Sequence, residues 1–112
     1  MSDISLIVTI VPKGWGNVVL EASLRAGAHG GTTLMGRGSG IHEHQTLLGI
    51  PIEPEKEIVL TVAYSNTTES ILNEIVRVVD LNKPGAGIAF VVPVDKVVGA
   101  THLFGNAPKP DA

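Results

Sequence analysis

Two glycine-rich stretches and a histidine pair are the places in this 112-residue chain where residue type and spacing could do chemistry. Lys83, Pro84, Gly85, Ala86 and Gly87 lead into an apolar run. Gly85 and Gly87 have no Cβ, so backbone N–H groups there can approach an anion closely. Lys83 would add a positive charge. The plain alternative is a turn into a strand, which glycines make routinely. Gly36, Arg37, Gly38 and Ser39 form the second stretch. Ser39 is a potential modification site, although a lone serine in such a turn is usually only a turn residue.

His42 and His44 flank Glu43. In an extended segment the two imidazoles point to one side, and with a carboxylate they suit zinc, copper or nickel. A third ligand would have to come from His29, His102 or a symmetry mate, and the spacing has no closed four-ligand signature, so a solvated polar loop is the simpler reading. Glu53, Glu55 and Glu57 alternate with Pro54 and Lys56 and read as the solvated start of a strand rather than a cation site. His42 and Glu43 make a poor acid–base dyad, because adjacent residues rarely aim at one atom. There is no cysteine, no nucleophile elbow and no complete phosphate-binding loop. The expectation is a binding protein, not an enzyme.

The elements that must position these residues follow from periodicity. Residues 4–11 read as a strand, with Ile4, Leu6, Val8 and Ile10 on one face and Ser5, Ile7, Thr9 and Val11 on the other. Residues 15–26 read as a helix with Trp15, Val18, Val19, Ala22 and Ala26 on one face, stopped at Gly27. Residues 31–36 are a second strand. Residues 37–55 follow neither period and read as a long loop with at most a short turn; loops of that length are usually functional. Residues 57–64 are a third strand. Asn66 and Glu69 resemble a capping box for a helix carrying Ile71, Leu72, Ile75, Val76 and Val79. A turn over 81–87 leads to a strand over 88–92, extended over 94–99. The tail from Thr101 onward is expected to be loosely held. The order is β-α-β-β-α-β, an α+β, ferredoxin-like arrangement: a four-stranded antiparallel sheet with two helices on one face.

Hydrophobic residues make up 44% of the chain and charged residues 17%, more apolar surface than a small monomer comfortably hides. Two helices cover one face of a sheet. If Ile4, Leu6, Val8 and Ile10 meet the helices, Ile7 and Val11 are left on the open face, and the third strand repeats the split, with Ile58, Leu60 and Val62 against Val59 and Ala63. An apolar face of that kind predicts a subunit interface. The net charge of -3 and three scattered arginines argue against nucleic acid. No apolar run is long enough to span a membrane, and the first residues lack the features of a signal peptide. A cytoplasmic protein is expected, without membrane insertion.

Gly36, Arg37 and Gly38 after strand two, with Lys83 to Val91 before and within strand four, resemble the PII family of signalling proteins over roughly residues 3 to 99. The second stretch is similar to the family's B-loop and the first to the entrance of its T-loop. The resemblance implies a homotrimer whose sheets face inward, with ligand clefts between subunits. Gly36, Arg37, Gly38, Ser39, Lys83, Gly85, Ala86 and Gly87 are the ligand-binding candidates it implies. It also implies a T-loop over 37–55 read by a partner protein, membrane transporters being among the candidates.

The chain departs from the family's pattern in ways that bear on the ligand. Ile88 stands where a B-loop lysine is usual, and Gly99 and Thr101 where C-terminal arginines are usual. Gly40 replaces a metal- and oxoglutarate-binding glutamine, and no tyrosine lies between Arg37 and Glu57. A triphosphate needs cationic neighbours or a metal, so these losses argue against ordinary ATP binding. A smaller anion such as bicarbonate, or an adenine nucleotide with fewer phosphates, is expected instead. Two alternatives remain: a divalent-cation-binding trimer of the cation-tolerance type using His42 and His44, or a structural interaction module.

Overall fold

A computed structural model describes residues 3–40 and 45–99. Strand β1 (Ile4–Pro12) leads to helix α1 (Gly16–Arg25), then β2 (Thr32–Arg37), a pair of short strands β3 (Gln45–Leu47) and β4 (Ile50–Ile52), β5 (Glu55–Tyr64), helix α2 (Ser65–Val79) and β6 (Ile88–Val94). The main sheet is antiparallel with order β2-β5-β1-β6. Both helices pack on the two central strands and on each other. This is the expected β-α-β-β-α-β fold, with one insertion between β2 and β5.

The two sheet faces are the reverse of the sequence reading. Ser5, Ile7, Thr9 and Val11 of β1 and Val59, Thr61 and Ala63 of β5 are buried beneath the helices. There they meet Val19 and Ala22 of α1 and Ile71, Ile75 and Val79 of α2. The alternate set is the open face. Ile10 sits between Ile58 and Ile88, Val8 between Leu60 and Phe90, and Leu6 between Val62 and Val92. The uniformly apolar side of the sheet is therefore the one no helix covers. The side bearing Ser5, Thr9 and Thr61 is the core, because small side chains let the helices approach closely.

Several local expectations are also corrected. Trp15 is the N-cap of α1, outside the buried stripe and 44% exposed. Asn66 caps nothing. Helix α2 starts directly after β5 with Tyr64 at the N-cap, and the Thr67 and Thr68 hydroxyls donate to the Tyr64 carbonyl at 3.0 and 2.9 Å. The helix ends at Asp80 in the left-handed region, φ 59°. The 37–55 loop contains the β3–β4 hairpin, closed by Leu48 and Gly49, both with positive φ. That combination makes a primed hairpin turn, and three-residue strands are too short to show alternation. The 94–99 extension does not form. Val94 pairs with Ile4, the first residue of β1, so the ladder has no partner beyond it. The tail call on 101–112 lies outside the described residues.

Glu57 ties β5 to the start of α1. Its Oε1 accepts hydrogen bonds from the Gly14 and Gly16 backbone N–H groups at 3.1 and 2.7 Å. These are orphan donors at a helix N-terminus, where a carboxylate also meets the favourable end of the macrodipole. Glu57→Ala is expected to cost about 1.5–3 kcal/mol in urea denaturation, the range for hydrogen bonds to a charged group. An unchanged midpoint would show that the cap contributes nothing.

Candidate ligand pocket

A pocket of about 470 Å³ opens at the end of the sheet where β2 leaves it and β6 enters it. One wall is the run Gly36, Arg37, Gly38, Ser39 and Gly40, and the opposite wall is Gly85 and Gly87. The two glycine-rich stretches, far apart in sequence, thus face one hollow. Its floor is the open sheet face, with Ile10, Ile58 and Ile88 in one cross-strand row and Lys56 beside them.

Turn chemistry shapes the second wall. The Ala86 N–H donates to the Lys83 carbonyl at 3.1 Å, with Pro84 next and Gly85 at φ 81°. Proline followed by a positive-φ glycine is the signature of a type II turn. The Ala86 N–H is therefore committed to the turn, and Lys83 and Ala86 are absent from the pocket lining. Gly87 has a different requirement. At φ 138°, a Cβ there would lie 2.5 Å from the Ile10 carbonyl oxygen, so only glycine lets the turn press against β1.

The first wall rests on the β2–β5 register. Gly36 lies opposite Lys56, and Arg37 opposite Glu55. The Gly38 N–H donates to the Pro54 carbonyl at 3.1 Å, which holds the chain as it leaves the sheet. Lys56 is 7% exposed and lines the pocket, and a Cβ at Gly36 would lie 3.1 Å from Ile58 Cδ1. Among the described residues the lining includes two cations, Arg37 and Lys56, and no carboxylate. The other two arginines are engaged elsewhere: Arg77 grips Glu74 with bonds of 2.9 and 2.6 Å, and Arg25 approaches it at 3.5 Å. The Arg77 hydrogen bond, first among the causes, holds the Glu74 carboxyl below its ordinary range.

Sequence reasoning missed Lys56, Ile10 and Ile58 as pocket residues. Lys56 read as one charge interleaved among acids, and only its register with Gly36 places it here. Of the alternating acids, Glu55 pairs with Lys13 at 3.1 Å and Glu57 caps α1. His42 and His44 lie outside the described residues. His29, in the connection before β2, lies at the other end of that strand from the pocket. No group of three metal-ligating side chains occurs among the described residues.

Residues 4–101 match the model of the nitrogen regulatory protein P-II family. The chain belongs to that family. A solved structure of the Arabidopsis thaliana PII protein bound to citrate has the same fold, with a TM-score of 0.69. It is 23% identical, with 92% of this chain and 85% of that chain covered. No curated protein matches the sequence. Proteins of the P-II family are regulatory signalling proteins rather than enzymes. No helix among the described residues is long and apolar enough to cross a membrane.

Proposed function

We propose that this P-II family chain is a cytoplasmic homotrimer that senses a small anionic ligand and reports its occupancy to a partner protein through the 37–55 segment. The observation that carries the reading is the meeting of Arg37 and Lys56 in one pocket between two glycine-rich walls. Two cations at one pocket favour an anion electrostatically. The rows Ile58–Ile10–Ile88, Leu60–Val8–Phe90 and Val62–Leu6–Val92 support the oligomer, since contiguous exposed apolar surface marks an association site. In such an assembly the pocket, which opens on that same face, becomes a cleft between neighbouring copies. Because Gly36 to Gly40 form both a pocket wall and the start of the 37–55 segment, ligand contact there would bias how that segment is presented. Citrate bound to the Arabidopsis protein makes a carboxylate a sensible probe beside nucleotides.

Calorimetry with ATP, ADP, AMP, bicarbonate and citrate tests the reading. At least one of these anions should bind, and Lys56→Met should weaken it about tenfold or more, the loss of one charge-assisted contact of roughly 1.5–3 kcal/mol. Silence from every anion would overturn the proposal.

A further inference from the structure

The β3–β4 hairpin is a sheet of its own. Each of its strands has three residues, and among the described residues neither pairs with any other strand. A lone two-stranded hairpin is marginally stable in water; a third strand or a packed layer is normally needed. At the tip Leu48 is 94% exposed and Ile50 is 66% exposed. From Gln45 to Ile52 the sequence carries no charge.

The two outer edges of the hairpin are not equivalent. Leu47 lies opposite Ile50 across the two-residue turn, Thr46 opposite Pro51, and Gln45 opposite Ile52. The pair that closes such a turn exchanges backbone hydrogen bonds, and the next pair along exchanges none. The backbone groups at positions 46 and 51 therefore point outward, away from the partner strand. Pro51 suits that position, since proline has no N–H to give to a ladder. It leaves the outer edge of β4 with a carbonyl but no donor, which blocks a further strand there. On β3, Thr46 offers both an outward N–H and an outward carbonyl.

We infer that the hairpin is an assembly element, in which β3 of one copy pairs antiparallel with β3 of a second copy, Thr46 opposite Thr46, in a four-stranded sheet that ends at Pro51 on both sides. An identical strand fits this edge. Self-pairing about Thr46 is two-fold symmetric and closed. It sets threonine opposite threonine, a favourable cross-strand pair, and Gln45 opposite Leu47, with no like charges facing. It also supplies the strands that the hairpin lacks. The pairing uses neither the pocket lining nor the open sheet face, so it doubles whatever unit that face makes.

Light scattering of the full chain from micromolar to millimolar concentration tests this. The parent should reach twice the mass of Thr46→Pro, a change that removes an outward N–H and spares the bonds between β3 and β4. Pro51→Ala restores a donor on the β4 edge and should carry the mass beyond that doubling. A second measurement needs no proline change. The chain has no cysteine, so Thr46→Cys adds its only thiol. Opposed residues in a bonded pair have Cα atoms about 5.5 Å apart, within the disulfide range of about 4.4–6.8 Å. Mild oxidation should link Thr46→Cys chains in pairs. Leu48→Cys, four residue steps or about 14 Å from its mate, should link about tenfold more slowly. Equal masses for the parent and Thr46→Pro at every concentration overturn the inference; if that mass is three chains, the proposed trimer stands. Equal linking rates for the two cysteine variants also overturn it, because the contact would then be random collision. A Pro51→Ala chain that stops at the doubled mass overturns the blocking role of Pro51.

Discussion

Gly87→Ala should destabilise the chain by roughly 2–6 kcal/mol, combining about 1–3 for an unfavourable backbone conformation and about 1–3 for overpacking. The added Cβ would stand 2.5 Å from the Ile10 carbonyl oxygen, 3.1 Å from Val11 and 3.3 Å from Leu81. The first of these neighbours is backbone in a central strand, paired on both sides, and cannot swing away. Domains of this size are stable by only about 5–15 kcal/mol, so the substitution takes a large share of the total. Gly85→Ala is the control. Its φ of 81° is also positive, but an added Cβ meets nothing within 4 Å. Its cost should be about 1–2 kcal/mol, the left-handed penalty alone. Urea denaturation of both variants at one protein concentration separates the two terms. Equal midpoints would show that the close approach of the 83–87 turn to β1 carries no energy. Because Ile10 and Ile88 flank Gly87 in the pocket, the same variant should also lose ligand binding.

Val8→Asp should convert the proposed oligomer to single copies. Val8 lies midway along the open face, between Leu60 and Phe90. It takes no part in the helix–sheet core. In an isolated chain the carboxylate would reach water at small cost. In an assembly closed over this face, each copy would bury an unpaired charge, a penalty of several kcal/mol per ion. Light scattering should therefore report a multiple of the chain mass for the parent protein and a single chain for the variant, with matching far-ultraviolet circular dichroism. A parent that is already a monomer at micromolar concentration would refute the trimer. A variant that stays assembled would move the interface to another face.

The two glycine-rich walls were legible because glycine and proline impose local geometry that needs no tertiary context. Pro84 and Gly85 dictate a type II turn, and the turn is there. Lys56 was not legible. Charge and alternation placed it among Glu53, Glu55 and Glu57 as part of a solvated strand start, and two of those acids instead have structural partners, Lys13 and the α1 backbone. Which side of the sheet a lysine faces, and which residue stands across from it, depends on strand pairing. A shift of one residue in that pairing sends every side chain to the other face.

By itself the sequence determined the element order, the antiparallel four-stranded sheet with two helices, the P-II resemblance and the glycine stretches that bound the pocket. These follow from local periodicity and from residues with restricted or unusual backbone freedom. Only the tertiary structure decided which face of the sheet is the core. Alternation shows that β1 has two faces, but it cannot say which one two helices will choose. The choice went to the side with Ser5, Thr9 and Thr61, where small side chains admit the helices, and it left Ile4, Leu6, Val8 and Ile10 open. The same decision put Ile10, Ile58, Ile88 and Lys56 on the floor of the pocket, because residues that meet only across strands become neighbours only when the register is set.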